Sequence, residues 1–362
     1  LRRQRQMCIR DSKYIVSEMA KTGAGMFEIA AEDTGRDPER NQDYMSRIKE
    51  LALDHRVPVT WGMFSSRRAP DHWRQYFNLL DEVGMAGGRM FAQVHSRALN
   101  VLFTFESYTP FDSWELWREI RALPLQEQRE KFSDPTIKSR LVEIANKESK
   151  KHKEHGSTVR PPDWHWVFIM DTVDGPHRRM DEAAKEAGVS APELMIDLAL
   201  SSDFKVIFRQ PIANELDEDV IEMMKHPRSV VTFSDSGAHV SQIMDSSLQT
   251  HIFSHWVREK QALTLEEAVR IVTLEPALQW GFHDRGLLRV GAAADIVVFD
   301  PNTIAANMPE VVHDLPSGSK RLKQTARGIK NTIVNGEIFL ENNEPTESRS
   351  GQLLRGPLGR GR

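Results

Sequence analysis

Short apolar runs alternate with helix-length stretches along most of this chain, and that rhythm limits its fold more than any other feature. Residues 25–31 and 57–61 read as buried strands, as does the run 89–94. Between and after them, residues 44–53 and 73–83 have helical spacing. A β-α-β-α order of this kind argues for an α/β fold built on a parallel sheet or barrel. Residues 102–160 break the rhythm. They are rich in Lys, Glu and Pro, carry Trp114 and Trp117 at a helical interval, and are expected to form an insertion of short helices. The basic run Lys150 to Lys153 inside it reads as a solvated face.

The alternation then returns. Residues 166–170, 206–208 and 229–233 read as strands, and 181–187, 194–200 and 217–225 as helices. Ser190 with Glu193, and Thr264 with Glu267, have the form of capping boxes. In the helix that Thr264 opens, Leu265, Ala268, Val269 and Val272 share one face. Beyond Gly281 the texture becomes turn-rich and β-like, with Asn335-Gly336 at a hairpin bend. Past Glu341 the chain is polar and reads as a loose tail.

Composition narrows the function classes. The chain has 362 residues, enough for one large core or two smaller ones. A net charge of −4, from 48 basic and 52 acidic side chains, gives no reason to expect nucleic acid as a partner. No apolar run approaches the roughly 20 residues that span a bilayer, so no membrane partner is expected. Cys8 is the only cysteine, which removes disulfide frameworks and thiolate zinc sites and points to a cytoplasmic setting. The first twelve residues hold four arginines and no apolar stretch, so they are no secretory signal. Their string Arg5-Gln-Met-Cys-Ile-Arg10 can be a basic arm, but it resembles a translated sequencing adaptor and is expected to be an artefact.

The sharpest local motif is Ser234-Asp235-Ser236-Gly237-Ala238-His239, directly after an apolar strand. Parallel barrels place catalytic carboxylates at such strand ends. Asp235 and His239 can both face one cleft, with Asp235 binding a metal or taking a proton from water. Equally, Asp235 can cap the following turn and His239 can be a satisfied, partly buried histidine. Spacing alone leaves both readings open. Arg209 and Asn214 follow the strand at 206–208 and can bind a substrate carboxylate, arginine through its bidentate fork; surface ion pairing is the plainer alternative. His251 and His255 lie four apart on an expected helix, a spacing that can hold zinc, although packing explains them better. Phe103, Phe105, Trp164 and Trp166 can wall a pocket or simply fill a core.

Three blocks together resemble the amidohydrolase superfamily. They are 233–240, residues 265–277, and 284–300 with its closing run 332–336. The pattern Gly286-x-Leu288-x-x-Gly291-x-x-Ala294-Asp295 is the most specific of them. Residues 310–318 and 353–356 are similar to the N-acyl-D-amino-acid deacylase (D-aminoacylase) branch. The resemblance implies an α/β fold: part of a metal-dependent (β/α)8 barrel over residues 13–283, its N-terminal strands missing, with the helical insertion at about 102–160. It also implies a C-terminal β unit of a composite sandwich over 284–340, and leaves 341–362 as tail. It implies a divalent metal, zinc in most relatives, whose bound water attacks the amide of an acylated amino acid. Asp235 would be the metal ligand and proton shuttle, with His239, Arg209 and Asn214 toward the substrate.

The chain departs from that pattern. It has no His-x-His pair, and Ala30 and Met63 stand where further histidine ligands are expected. His95, after the strand at 89–94, is the candidate substitute ligand. The resemblance therefore implies that the first barrel strands and most metal ligands lie upstream. On that basis the chain alone is expected to be inactive, with exposed apolar strand edges. Alternatives are a cyclic amidase or a deaminase on the same fold, or a non-catalytic binding protein with a degenerate metal site. Oligomeric state, homo-oligomer included, stays open.

Overall fold

Strands buried on both faces need continuous apolar runs, and helices beside them need one apolar stripe. The first hundred residues follow both requirements. The computed structural model describes residues 2–30, 32, 37–148, 162–237, 239–243 and 245–354, with side chains from residue 11 onward. Helix α1 (Arg2–Thr22) leads into β1 (Phe27–Glu28), α2 (Pro38–Asp54), β2 (Val59–Met63), α3 (His72–Met85) and β3 (Met90–Val94). Asp37 starts α2: its carboxylate accepts from the amides of Glu39 and Arg40, and Pro38 occupies the first turn. Tyr44, Ile48 and Leu51 of α2 pack with Trp73, Phe77 and Leu80 of α3 against Trp61 and Val94 in one core.

The expected strand at 25–31 shortens to Phe27–Glu28. Among the described residues it pairs with β2 alone.

From Leu99 the chain leaves this layer and returns only after Ala213. Strand β4 (Leu99–Phe103) is followed by helices α4 (Glu115–Arg121), α5 (Leu125–Ser133) and α6 (Pro135–Glu148). Then come β5 (Phe168–Ile169), β6 (Arg178–Arg179), α7 (Met180–Ala187), α8 (Ala191–Ser201) and β7 (Phe208–Ala213). These strands form an antiparallel sheet in the order β4-β7-β5-β6. This corrects the reading of 166–170 and 206–208 as further members of the parallel layer, and enlarges the expected insertion of 102–160. Pro211 explains part of the miss. It sits opposite Asn100 on β4, beyond the two residues of β7 that pair with β5, so no second strand needs the N–H that proline lacks. The excursion has its own aromatic core of Phe105, Phe111, Trp117, Phe132 and Phe204. The basic run 150–153 lies outside the described residues.

Helix α9 (Asp217–Lys225) leads back to β8 (Ser229–Val231), which pairs parallel with β3. The parallel sheet thus has the order β1-β2-β3-β8. Among the described residues no further strand pairs with the outer edge of β1 or β8. The side chains of β8 are buried. Residues from Met224 to Pro227, together with Leu263, Glu267 and Ile271, flank that edge and enclose a groove of about 340 Å³.

Helix α10 (Leu248–His251) runs on as a π-helical segment (Ile252–Glu259), followed by α11 (Leu265–Val272) and α12 (Leu274–Gln279). Thr264 and Glu267 form the reciprocal capping box. Ser190 does not: its hydroxyl is buried without a hydrogen-bond partner, and the Glu193 carboxylate lies 3.7 Å from Lys138 instead.

The C-terminal unit contains β9 (Ile296–Phe299), β10 (Ala305–Ala306), β11 (Glu310–Val312), β12 (Arg321–Lys323), β13 (Ala326–Arg327), β14 (Ile329–Val334), β15 (Glu337–Glu341) and β16 (Glu344–Pro345). Four of these form an antiparallel sheet, β16-β15-β14-β9. Asn335 and Gly336 both take positive φ at its hairpin bend, as a two-residue turn with the favoured twist requires. The tail is less loose than its composition suggests. Strand β16 extends the sheet, and the Ser350 hydroxyl donates to the Val334 carbonyl while its own carbonyl accepts from Asn335. Several exposed apolar side chains lie here and just before it, among them Leu288, Val290, Val297 and Ile338.

Candidate active site

Parallel strands deliver their following loops to one end of the sheet, so residues far apart in sequence meet there. Ser65 follows β2, His95 to Arg97 follow β3, and Ser234-Asp235 follow β8. Phe233 brings the last of these across the sheet. Its amide donates to the Val94 carbonyl and its ring meets Phe64 edge-on at 4.7 Å. Gly62 makes room for it, since a Cβ there would stand 2.4 Å from the ring.

Asp235 is half-buried, and among the described residues its carboxylate has no hydrogen-bond or ion-pair partner. Burial raises its proton affinity; the Asp245 charge adds to this and His239 opposes it. Asp245, absent from the sequence reading, is 1% exposed. It accepts from the Ser234 hydroxyl at 2.7 Å and from the Asp235 amide at 3.0 Å. Burial alone would raise its pKa, but His95 and these donors outweigh that and hold it at about 2. No short motif announces Asp245; only its position ten residues after Asp235, within one loop, hints at a contact.

His95 is fully buried. Its Nδ1 accepts from the Arg97 amide, and its Nε2 stands 3.3 Å from Asp245. The structure thus couples His95 to Asp245, whereas the sequence offered it as a ligand beside Asp235. His239 is half-buried near Asp235, and its buried Nδ1 has no partner among the described residues. Asn214, in the left-handed region at φ 56°, accepts from the Ser65 amide at 2.8 Å. Its side chain clips the end of β7 to the loop after β2, so substrate does not have first claim on its oxygen.

Arg209 is half-buried above the Phe168 ring and donates to His177 and Asn100. Among the described residues it pairs with no carboxylate within 4 Å, against the expectation of a surface ion pair. Burial, with the nearby Arg97 charge, lowers its pKa to about 10, still fully cationic at neutral pH. The sequence reading also passed over Arg97, whose guanidinium donates to the Ser247 hydroxyl.

His251 and His255 stack at 4.6 Å rather than opening toward a shared ion. His255 uses both nitrogens, on Asp217 at 3.0 Å and Glu259 at 3.2 Å. His251 lies 3.7 Å from Asp174. Burial pulls its pKa down to about 3; Arg97 and His255 act in the same direction and Asp174 against it. The unfolded chain takes this proton near pH 6.5 and the folded chain only near 3, so the unfolded state binds more protons between them. Stability should therefore fall as pH drops through that window. Thermal melts at stepwise lower pH should show falling midpoints, with a shallower slope in His251→Gln; a midpoint independent of pH would contradict this.

A metal needs several convergent donors. Among the described residues no group of three His, Cys, Asp or Glu side chains is arranged to hold one. Asp235 and its neighbours do not by themselves fit a metal centre.

The amidohydrolase-family sequence pattern matches residues 132–339, more than half of the chain. This chain belongs to the amidohydrolase family. Within it, the chain falls in the D-aminoacylase-like branch. An N-acyl-D-glutamate deacylase of Alcaligenes xylosoxydans xylosoxydans is 38% identical over 107 residues, covering 29% of this chain and 20% of that protein. An N-acyl-D-aspartate deacylase of the same organism is 28% identical over 176 residues, covering 48% and 30%. The chain thus spans less than a third of the length of these two relatives. In fold, it resembles the N-acyl-D-glutamate deacylase of Bordetella bronchiseptica solved with zinc and a phosphonate inhibitor. That match has a TM-score of 0.52 at 16% identity, over 94% of this chain and 58% of the other. A D-aminoacylase with a binuclear metal centre matches equally, with a TM-score of 0.52 at 16% identity over 94% and 58%.

Proposed function

We propose that this chain carries the proton-transfer and substrate-carboxylate part of a hydrolase that cleaves the amide of N-acylated amino acids. The observation that supports it most is Asp235. This carboxylate is unpaired among the described residues, has raised proton affinity, and stands at the carboxyl end of a parallel strand. A group poised to take and return a proton is what amide hydrolysis requires. Asp235 removes a proton from the attacking water and hands it to the departing amine. Arg209, cationic and without a carboxylate partner among the described residues, receives the amino acid's carboxylate through its fork. His239 lies close enough to Asp235 to favour its ionised form, and its buried Nδ1 makes no hydrogen bond among the described residues.

The solved relatives contain metals, and this reading includes a divalent metal. Its remaining donors would have to come from outside the described residues, so no step is assigned to it. The test is a product assay on the chain and on the longest polypeptide that contains it, with divalent metal added. N-acyl amino acids of both chiralities, cyclic amides and amino-substituted heterocycles are supplied. Release of free amino acid supports the proposal. Ring opening or ammonia release would replace it with the cyclic amidase or deaminase alternative, and binding without turnover with a non-catalytic role.

A further inference from the structure

A half-buried carboxylate on an irregular segment needs something to hold it, because a loop gains no fixed direction from a ladder. Strand β8 ends at Val231; beyond it Phe233 keeps one amide bond to Val94 of β3, and Ser234 and Asp235 make none to the sheet among the described residues. The Asp235 side chain provides no anchor of its own. The segment is held from behind by Asp245: one oxygen takes the Ser234 hydroxyl at 2.7 Å, the other the Asp235 amide at 3.0 Å. Both donors belong to the segment that presents the carboxylate. The acceptor is ionised and almost fully buried, so these are charge-assisted bonds in a site with little competing water.

Asp245 is itself fixed from the sheet. His95, directly after β3, has Nδ1 occupied as acceptor by the Arg97 amide at 3.1 Å. Its Nε2 stands 3.3 Å from Asp245, an ion-pair distance without hydrogen-bond geometry, so His95 backs the carboxylate by close contact. The neighbouring Ser96 hydroxyl donates to the Leu248 carbonyl, tying the strand end to the helix that follows Asp245. A chain of contacts thus runs from the buried strand β3 through His95 and Asp245 to the backbone of Asp235.

We propose that Asp245, backed by His95, is a positioning residue that holds Asp235 at the strand end in its working orientation. The inference deepens the functional reading above and rests on it for its catalytic meaning, while the clamp itself is a property of the folded chain. It assigns Asp245 no proton transfer and no contact with substrate.

The test compares wild type, Asp245→Asn, which keeps one acceptor, and Asp245→Leu, of similar size without one; Asp245→Ala serves where leucine is not accommodated. Two readouts are taken. Hydrogen exchange at the Asp235 amide should quicken by about tenfold or more in the leucine variant, as loss of a bond to a charged acceptor requires. It should stay near wild type in the asparagine variant, with β3 amides unchanged in all. In the longest active polypeptide, kcat for an N-acyl amino acid should fall by about 10²-fold in the leucine variant, with KM little changed and most of the loss recovered by asparagine. Equal exchange at Asp235 in all variants, or an undiminished kcat in the leucine variant, would overturn the inference. If wild type hydrolyses no N-acyl amino acid, the functional reading fails, and the exchange readout still decides the clamp.

Discussion

Replacing Asp235 with asparagine is expected to slow hydrolysis of an N-acyl amino acid by about 10²–10⁴-fold and to leave the fold intact. The two side chains have nearly the same size and shape, but asparagine cannot carry the proton from water to amine. Because the Asp235 carboxylate makes no hydrogen bond or ion pair among the described residues, its loss breaks no contact. Burial and the Asp245 charge both disfavour its ionised form, so the neutral amide should melt at the same temperature or slightly higher. Turnover and a thermal melt on the same preparation check both halves. A variant that melts as wild type and turns over as wild type would remove Asp235 from the chemistry.

The second large effect is on stability, at Trp117. Its indole is fully buried and packs 4.4 Å from the Phe111 ring and 5.6 Å from Phe132. Its N–H donates to the Leu141 carbonyl at 3.2 Å. Trp117→Ala removes the largest side chain of the excursion's core together with its bond to the Leu141 carbonyl, at a cost of about 3–5 kcal/mol. The excursion carries Arg209 on β7, so carboxylate recognition should weaken along with folding. Denaturant unfolding would measure the loss; a change below about 1 kcal/mol, typical of surface sites, would mean that this core is not a cooperative unit.

The parallel layer was legible in the sequence because strands covered on both faces, such as Val59–Met63 and Met90–Val94, carry their burial as mostly apolar runs broken only by Thr60 and Gln93. The antiparallel excursion was not. Strand Phe208–Ala213 mixes Arg209, Gln210 and Pro211 into six residues, and its pairing with Leu99–Phe103 crosses more than a hundred positions. No local pattern encodes such a contact. The contrast between Thr264 and Ser190 makes the same point on a smaller scale. Both head a capping-box pattern, but only Thr264 forms the box; the Glu193 carboxylate lies toward Lys138, and the Ser190 hydroxyl is left without a partner among the described residues.

At the site, Asp235 was visible because it directly follows an apolar strand. Asp245 and Arg97 were hidden, since their roles arise from a loop folding back and from the neighbouring strand end. His95 was visible as a histidine at a strand end, but its partner could be read only from coordinates.

The most direct test of the account is hydrolysis of an N-acyl amino acid in water enriched in oxygen-18, using the longest polypeptide that contains this chain. Water attacking the acyl carbonyl, with the amine leaving, predicts one solvent oxygen in the released carboxylic acid and none in the free amino acid. Wild type should show this and Asp235→Asn should lose nearly all of it. Absence of labelled acid from wild type, or equal labelled product from the asparagine variant, would contradict the account.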